Sequence, residues 1–538
     1  MDAVAHREVE RKYEVPEGAE HRIDWSGLEG YTVSSDPVEH RMEAVYYDTE
    51  DLALGRRLVA LRRRRGGADD GWHVKLHESS GRQELQVPLL RTPDRMPAAV
   101  RTLLAGLTGG ELLRPIATLR TNRRVLTVSD ADGAPLAELA ADVVEAVDER
   151  TGTPRSWSEW ELELLDGTVT EEEQERIFAA VESAVFAAGG RASTSRAKIA
   201  RALGAEDDGT PGAGRPEKTA AKANRKKKGS GKGKKAAAAS GPDVLRAVLG
   251  DLAERLVVWD FRVRLDAPDA VHQMRVTSRS LRSVLKAAAP LLERDAAEEL
   301  DARLRELARA LSSARDAEVT AELLAGRVEE LGGRVGPAAA AVLRLAAEDQ
   351  ARRAAGRVRR HVGTREHLRL LADVRAFAAA PPLTGKCAEL SAREASDVLV
   401  RRALRKVVRA AERGAAAEEA GGNGAQERLE HLHDLRKAVK RVRYVGAVLE
   451  RCGFRPGKSL RRTVRDAEDH QDALGRVMDA AVVEHWLART AEALRRTGED
   501  RYAVGVLHGA EVARLRTGIE EGVGAVGGLL AQVQEELA

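Results

Sequence analysis

The chain has 538 residues, and 32% of them are charged, yet the formal net charge is only +3. This length allows about two to four domains. The near balance of charge excludes a uniformly basic coat for nucleic acid, so any anion site must come from local clustering of charge. The two cysteines, Cys387 and Cys452, are too few for a disulfide framework and form no metal-ligand pair, which favours a reducing compartment.

Neither a signal peptide nor a membrane span is expected from the sequence. Residues 1–13 are charged rather than apolar, unlike a secretory leader. No apolar run approaches the roughly 18 residues that a spanning helix needs. These features predict a cytoplasmic protein without a membrane partner.

The chain up to residue 204 has the pattern of β-strands, because apolar and polar residues alternate with a period of two. The alternating stretches are 7–15, 58–65, 71–77, 82–89, 123–129, 135–144 and 158–167. Two helices are expected among them, 96–107 and 171–188, the second with Thr170 as its N-cap. This predicts an antiparallel β-rich domain with flanking helices over residues 1–204.

Residues 205–242 separate this domain from the rest. The stretch is rich in Gly, Pro and Lys and lacks apolar periodicity. It offers too little apolar surface to offset the entropy that is lost on ordering. We therefore predict a disordered basic linker, followed by a second domain over 243–538.

The second domain has helical periodicity throughout and repeats itself. A histidine followed by cations at spacings of three and four residues forms one stripe along a helix in each copy. The stripes are His272, Arg275, Arg279 and Arg282, and His433, Arg436, Lys440 and Arg443. The two copies lie 161 residues apart (433 − 272), which predicts an all-α duplicated bundle with repeats at about 243–380 and 390–538.

These stripes are unfavourable for an isolated helix, since like charges at i and i+4 repel. Retention of the spacing in both copies favours an anion-binding surface. The alternative is a solvated face paired with glutamates of neighbouring helices. Single histidines among arginines repel a metal ion, so we expect them to donate hydrogen bonds to the anion.

In the first domain, charged residues share strand faces, because alternate residues of a strand point the same way. The acidic strands carry Glu8, Glu10 and Lys12 near the start and Glu159, Glu161 and Glu163 near the end. The middle strands carry Arg62 with Arg64, His73 with Lys75, Arg82 with Glu84, and Glu138 with Asp142. Clustered carboxylates need a counterion, and their oxygens suit Mg²⁺ or Mn²⁺.

Two arrangements fit this pattern. The charged faces either point to solvent or line the lumen of a closed barrel. A lumen with carboxylates on one wall and Arg and Lys on the other would hold a metal ion and a phosphate chain.

The ordered motifs resemble the CYTH, or triphosphate tunnel metalloenzyme, superfamily over about residues 5–204. The motifs are Glu8-x-Glu10-x-Lys12, Tyr46-Tyr47-Asp48-Thr49, Leu61-Arg62-Arg63-Arg64, Lys75, Arg82-x-Glu84, Asp142, Glu161-x-Glu163 and Ser195-Arg196-Ala197-Lys198. The resemblance implies an eight-stranded antiparallel β-barrel, or tunnel, that binds a triphosphate. Family activities include inorganic triphosphatase, thiamine triphosphatase, RNA 5′-triphosphatase and adenylate cyclase.

Carried over by position, this resemblance implies roles for individual residues. The implied Mg²⁺ or Mn²⁺ ligands are Glu8, Glu10, Glu161 and Glu163. The implied substrate-binding residues are Lys12, Arg62, Arg64, Lys75, Arg82, Arg123 and Lys198. Lys12 and Glu84 are expected to be catalytic, with Glu84 or Glu163 orienting a water. The sequence leaves open whether Arg123 or Arg124, and Arg196 or Lys198, faces the tunnel.

The second domain resembles the CHAD family, through HQMRVTSRSLR and HLHDLRKAVKRVRY together with LSSARDAEV and LGRVMDAAV. This implies two pseudo-symmetric helical bundles that bind inorganic polyphosphate with both stripes, without catalysis. An association with polyphosphate granules would fit. No sequence-specific nucleic-acid partner is expected, and the oligomeric state is left open.

Taken together, these features predict metal-dependent hydrolysis of inorganic triphosphate or short polyphosphate, with polyphosphate binding by the second domain. One alternative is a non-catalytic polyphosphate scaffold. Another is an enzyme for an organic or nucleoside triphosphate, such as a thiamine triphosphatase or adenylate cyclase. Aromatic residues make up only 3% of the chain, which disfavours a base-stacking platform.

Overall fold

The computed structural model describes residues 5–16, 23–67, 69–78, 81–165, 170–193, 197–204, 239–419, 424–497 and 501–537. The chain divides into two compact units, a first unit at Met1–Ser230 and a second unit at Gly231–Ala538. Within the described ranges, no helix combines the length and apolarity that a membrane span requires. Most of the predicted linker, 205–238, lies outside the described residues, and the helices of the second unit begin at Gly241.

The first unit is built on one antiparallel sheet, in which the described residues form eleven strands. The strands are β1 (Ala5–Glu8), β2 (Glu10–Glu14), β3 (Tyr31–Val33), β4 (Val38–Asp48), β5 (Val59–Arg65), β6 (Gly71–Glu78), β7 (Gly81–Val87), β8 (Arg114–Asp130), β9 (Pro135–Asp148), β10 (Thr153–Leu164) and β11 (Arg191–Ala192). Their hydrogen-bonded order is β1-β7-β6-β5-β4-β8-β9-β10-β2-β11, and β3 pairs with β8.

The expected closed barrel of eight strands is therefore wrong in strand number and in closure. The N-terminal strand is interrupted at Val9, which separates β1 from β2. β1 pairs with β7 and β2 pairs with β10, so one continuous segment contributes strands near both ends of an unclosed ladder. At the interruption, the Leu164 backbone N–H donates to the Val9 carbonyl oxygen at 3.0 Å.

The strand register brings the charged residues of neighbouring strands side by side. The cross-strand pairs are Arg62 with His73, Lys75 with Glu84, Arg123 with Asp142, Asp142 with Glu159, and Glu161 with Lys12. Side chains that are opposite each other on one face of a sheet are close enough to interact. The register thus turns the alternation within each strand into one continuous charged face.

Three helices accompany the sheet: α1 (Ala98–Thr108), α2 (Glu171–Ala187) and α3 (Lys198–Ala202). The Thr170 hydroxyl accepts a hydrogen bond from the Glu173 backbone N–H at 3.3 Å, which confirms the predicted cap of α2. The buried face of α2 packs against the strands, with Phe178 and Val181 in one core with Trp160. The apolar side of the sheet is thereby covered.

The second unit is entirely helical in its described residues, as predicted. Its helices are α4 (Gly241–Arg264), α5 (Ala270–Ala287), α6 (Arg294–Glu330), α7 (Pro337–Val362), α8 (Arg365–Ala379), α9 (Gly385–Glu389), α10 (Ala392–Glu419), α11 (Ala425–Arg451), α12 (Lys458–Thr497) and α13 (Tyr502–Leu537). Apolar side chains of α4, α5, α6, α10 and α11 share one large core.

The duplication is visible at the helix starts. Ser240 precedes α4 and Ser391 precedes α10, and the two serines form an antiparallel bridge. The hydroxyl of each serine donates to a carboxylate three residues later, Asp243 at 2.7 Å and Glu394 at 2.8 Å. The same capping device thus begins both copies, 151 residues apart (391 − 240).

One buried ionic contact joins α4 to α8. The Asp260 carboxylate is fully buried and receives the Arg264 Nε at 2.8 Å and the His367 Nε2 at 2.8 Å. A second guanidinium nitrogen of Arg264 donates to the Val362 carbonyl oxygen at the end of α7. Three helices therefore depend on one carboxylate.

We predict that Asp260→Ala lowers the free energy of unfolding by about 3–5 kcal/mol, because it leaves the Arg264 cation buried without its partner. The matched control is Asp373→Ala, which removes the partner of Arg303 on a more exposed surface and should cost no more than about 1 kcal/mol. Chemical denaturation of both variants measures the difference. Equal losses would contradict this role of Asp260.

Candidate functional site: an acidic and basic cavity, and a basic helix pair

The strands of the first unit enclose a cavity of about 190 Å³. Its lining residues are Glu10, Lys12, Tyr46, Ala60, Arg62, Arg64, Asp69, Lys75, Glu84, Glu161, Glu163, Ala197, Lys198 and Ile199. Most of the predicted site residues are among them. The charged strand faces therefore converge on one cavity, and the alternative of a solvent-facing surface is wrong for these residues.

Two further carboxylates, Asp142 and Glu159, lie behind the cavity lining and next to its residue Glu161. We call Asp142, Glu159 and Glu161 together the acidic wall. Their ligand oxygens all lie within 4.8 Å of one another. The register of β9 and β10 places Asp142 opposite Glu159, and each residue is at most 7% exposed. The indole N–H of Trp157 donates to the Glu159 carboxylate at 2.7 Å, which orients it.

Cations hold the acidic wall together. The Lys198 Nζ, at the start of α3, contacts all three carboxylates at 2.9, 2.7 and 2.7 Å. Arg123 donates to Asp142 through Nε and a second nitrogen, both at 2.7 Å, and reaches Glu161. Burial alone would raise the pKa of Asp142, but Lys198 and Arg123 hold it well below its usual value.

The structure shows which residue faces the cavity for the pairs that the sequence left open. Arg123 points into the acidic wall, whereas Arg124 pairs with Glu39 at 3.5 Å on the other face of the sheet. Lys198 lines the cavity. Arg196 lies outside the described residues.

Lys12 lies on β2, opposite Glu161 of the neighbouring strand β10. Its Nζ pairs with Glu161 and lies 3.4 Å from a Glu10 oxygen. Burial, reinforced by the neighbouring Lys198 ammonium, lowers the pKa of Lys12 well below its usual value. The nearby carboxylate of Glu159 opposes this shift.

The facing side, which we call the basic wall, is organised around Glu84. This carboxylate contacts Arg62 at 3.2 Å, His73 Nδ1 at 2.8 Å and Lys75 Nζ at 3.0 Å. His73 is almost fully buried, and its Nε2 lies 2.9 Å from the Asp69 carbonyl oxygen. Both ring nitrogens are therefore engaged, which fixes the position of Glu84.

Further groups of the basic wall show the excess of positive charge. Arg64 pairs with the Asp69 carboxylate, yet burial and the neighbouring Arg62 lower the pKa of Arg64 to about 10. Burial would raise the pKa of Tyr46, but the guanidinium of Arg62 outweighs it and lowers that pKa. An anion in the cavity would relieve this repulsion.

The acidic wall fits a hard divalent cation in its donor chemistry, because its donors are carboxylate oxygens. The Lys198 ammonium is a stand-in, since three carboxylates already converge on its positive charge. Glu161 belongs to both the predicted ligand set and this cluster. Glu10 and Glu163 line the same cavity opposite each other in the register of β2 and β10. The side chains of Glu8 and Arg82 lie outside the described residues.

In the second unit, α5 and α11 bring parts of both stripes together. Arg275 and Arg279 each donate to the Ser312 hydroxyl of α6 at 3.4 Å. Arg436 lies 4.0 Å from Asp479 of α12. We call the set His272, Arg275, Arg279, His433, Arg436 and Lys440 the central basic cluster.

Electrostatic repulsion marks the cluster. Burial, together with Arg436, Arg275, Arg279 and Arg443, lowers the pKa of Lys440 to about 7. Burial and Arg279 lower the pKa of Arg275 to about 10. These six side chains therefore form a positively charged site that a polyanion would neutralise.

The last cation of each stripe has different surroundings. Arg282 donates to Asp301 at 2.9 Å, beyond the central basic cluster. The Arg443 guanidinium lies 5.1 Å from the ring centre of Tyr444. His433 Nδ1 lies 3.1 Å from the Met478 sulfur. The residues of each stripe therefore share one helix face, but their side chains contact different partners.

A CYTH domain model matches residues 6–185, and a CHAD domain model matches residues 247–488. Two uncharacterized proteins of Mycobacterium tuberculosis, from strains CDC 1551 / Oshkosh and ATCC 25618 / H37Rv, are each 32% identical over 530 residues, which is 94% of this chain and 93% of theirs. The chain belongs to the CYTH–CHAD family. We refer to its two units below as the CYTH unit and the CHAD unit.

Two solved structures are similar to part of the chain. PptA from Streptomyces chartreusis is 20% identical with a TM-score of 0.41, covering 55% of this chain and 99% of that one. The CHAD domain of Ricinus communis is 23% identical with a TM-score of 0.39, covering 53% and 93%. Family membership connects the chain with triphosphate-related activity and with polyphosphate binding.

Several residues that line the CYTH cavity or contact its lining were not assigned a role from the sequence. They are Tyr46, Asp69, His73, Asp142 and Glu159. Alternation along β9 and β10 places Asp142 and Glu159 on the charged faces of these strands. Only the register between the strands shows that both residues lie next to Glu161. His73 lies on the same strand face as Lys75, and the structure shows in addition that His73 is buried and contacts Glu84.

Proposed function

We propose that the CYTH unit hydrolyses inorganic triphosphate or short polyphosphate with a bound Mg²⁺ or Mn²⁺, and that the CHAD unit binds polyphosphate. The observation that carries the first half is a single cavity with buried carboxylates on one wall and arginine and lysine on the other. Phosphoryl transfer depends on positioning the chain and neutralising its oxygens. The two walls supply both functions.

In this proposal the basic wall holds the phosphates. Arg62 and Arg64 offer guanidinium forks, and Lys75 offers a point charge. Lys12, between the walls, contacts the phosphoryl group that is transferred. Glu84, fixed by His73, orients the attacking water.

The acidic wall would hold the metal ion through Asp142, Glu159 and Glu161, with Glu10 and Glu163 close by. The bound ion would neutralise phosphoryl oxygens and lower the pKa of a water molecule. The residues of the chain perform the remaining tasks. Lys198 and Arg123 hold the three carboxylates close together without substrate.

The lining of the cavity favours an inorganic substrate over a nucleotide. Tyr46 is the single aromatic ring among its described lining residues, and it faces Arg62 across the strand pair. A nucleobase would find little stacking surface there. Phosphate chains need charge and hydrogen-bond donors, which the basic wall provides.

The CHAD unit would bind polyphosphate through the central basic cluster. Four of its residues are Arg or Lys, and burial together with repulsion from neighbouring cations lowers the pKa of Arg275, Arg436 and Lys440. An anionic chain relieves that repulsion on binding. Among the described residues, a cluster of carboxylates that could hold a metal ion is found in the CYTH unit and not in the CHAD unit. We therefore assign the CHAD unit binding without catalysis.

We predict that Arg62→Ala lowers the rate of phosphate release from tripolyphosphate by about 100- to 1,000-fold, the usual loss when one donor to transition-state charge is removed. The matched control is Arg124→Ala, which removes an arginine from the outer face of the same sheet and should leave the rate nearly unchanged. Phosphate release with Mg²⁺ or Mn²⁺ measures both variants, with ATP as a comparison substrate. A fully active Arg62→Ala protein, or a rate with ATP above that with tripolyphosphate, would contradict the proposal.

We predict that polyphosphate affinity falls as pH rises from 7 to 9, by up to about tenfold per pH unit. Lys440 has a pKa of about 7 in the free protein, and a bound anion raises that pKa. Binding above pH 7 therefore takes up a proton, whereas below pH 7 the group is already charged. Lys440→Arg should flatten the profile, since arginine stays protonated.

The control for this pH profile is Lys437→Arg, which makes the same substitution at an exposed position of the same helix. It should retain the wild-type slope. A profile that Lys440→Arg leaves unaltered would show that another group takes up the proton.

A further inference from the structure

A second basic pocket lies in the CHAD unit, at the C-terminal end of α5, and has a volume of about 750 Å³. Its lining residues are Leu285, Lys286, Ala289, Pro290, Arg294, Ala297, Glu298, Asp301, Arg305, Arg402, Lys406 and Arg441. They belong to α5, α6, α10 and α11 and to the turn after α5. We call this cavity the α5 pocket.

Positive charge exceeds negative charge in the α5 pocket. Six of its lining residues are Arg or Lys and two are acidic. Asp301 is already shared by Arg282 at 2.9 Å, Lys286 at 3.4 Å and Arg305 at 3.1 Å. In the part of the chain that the structure describes, no carboxylate pairs with Lys406 or Arg441 within 4.0 Å, so their charges are left to solvent or to a ligand.

The pocket is partly buried and its cations are positioned. Arg402 Nε donates to the Lys286 carbonyl oxygen at 3.1 Å, which fixes its guanidinium against the end of α5. Burial and the neighbouring Arg282 lower the pKa of Arg441. The hydrogen bond holds Arg402 in position for an anion, and a bound anion would offset the repulsion between Arg441 and Arg282.

The internal duplication shows that packing of the bundle does not require this charge. Shifting by 161 residues relates Arg441 to Ser280 (441 − 161) and Lys286 to Ala447 (286 + 161). The 151-residue offset of the capping serines relates Arg402 to Asp251 (402 − 151). The motifs LSSARDAEV and LGRVMDAAV lie 163 residues apart (474 − 311), and this offset relates Asp301 to Val464 (301 + 163). In that copy Asp251 is neutralised by Arg451. The counterpart of Lys406 is Arg255 (406 − 151), so that copy keeps one cation of the set. It lacks the cations that correspond to Arg441, Lys286 and Arg402, so packing of the bundle does not require those three.

We propose that the α5 pocket is a second phosphate-binding subsite, which a polyphosphate chain bound at the central basic cluster also reaches. The inference rests on the proposed polyphosphate binding of the CHAD unit. Lys286 follows Arg279 by seven residues, or about 10 Å along the helix, with Arg282 between them. A chain that occupies both sites gains affinity because its second contact is intramolecular, so affinity depends on chain length.

The test measures binding of long-chain polyphosphate to the full-length protein, with a chelator present, over a range of salt concentrations. Lys406→Ala/Arg441→Ala should weaken binding about tenfold and reduce the slope of log affinity against log salt by about one to two, since about 0.7 counterions are released per neutralised charge on a single strand. The matched control, Arg495→Ala/Arg496→Ala, removes the same charge from an exposed helix end and should change neither value. Lys406→Ala alone, at an exposed position, gives half the slope change without risk to folding.

Two further arms separate this inference from the proposed function. The loss of affinity in the pocket variant should grow with chain length, so tripolyphosphate should lose less affinity than long-chain polyphosphate. Arg436→Glu tests the central basic cluster by itself. An unchanged salt slope in the pocket variant, with lost binding in Arg436→Glu, would overturn the α5 subsite alone. The reverse pattern would overturn the central cluster alone, and absence of long-chain binding by the wild type would overturn both.

Discussion

The CYTH unit depends on the neutralisation of buried carboxylates. Asp142, Glu159 and Glu161 lie within contact of one another in the interior of the sheet, where unpaired charges are costly. Lys198 and Arg123 compensate them and thereby hold the interiors of β8, β9 and β10 and the start of α3 together. The same constraint makes the site attractive to a divalent cation, since the carboxylates already surround a positive charge.

The CHAD unit shows the opposite imbalance. Its cations face one another across α5 and α11, and burial together with their repulsion lowers the pKa of Lys440 to about 7. The large apolar core beneath these helices supplies the stability that such repulsion consumes. Both units therefore hold like charges in partly buried positions, which destabilises the empty sites. Binding of a phosphate chain with its metal ions would offset this repulsion. This shared logic connects two otherwise unrelated folds.

Much of the site could be predicted from the sequence, because alternation with a period of two fixes which residues share a strand face. Alternation placed Glu10, Arg62, Lys75 and Glu161 on the charged faces of their strands, and the resemblance to the CYTH superfamily implied that these faces line one tunnel. Cross-strand register is not encoded in any single strand, so the joining of Asp142 and Glu159 with Glu161 was missed. The interruption at Val9, which leaves the ladder unclosed, carries no local signal either.

Strand lengths show the same limit. The first half of β8 was missed because Pro115 lies within it, and proline is unfavourable inside a strand. The structure accommodates Pro115 at an irregularity, where the register of β4 and β8 shifts between Tyr46 and Tyr47.

A crystal structure with Mn²⁺ and tripolyphosphate tests most directly the claim that the CYTH cavity binds a metal ion and a phosphate chain. Anomalous density for Mn²⁺ against Asp142, Glu159 or Glu161, with phosphates against Arg62 and Lys75, is the expected result, and Mn²⁺ or phosphates bound only outside this cavity would contradict it.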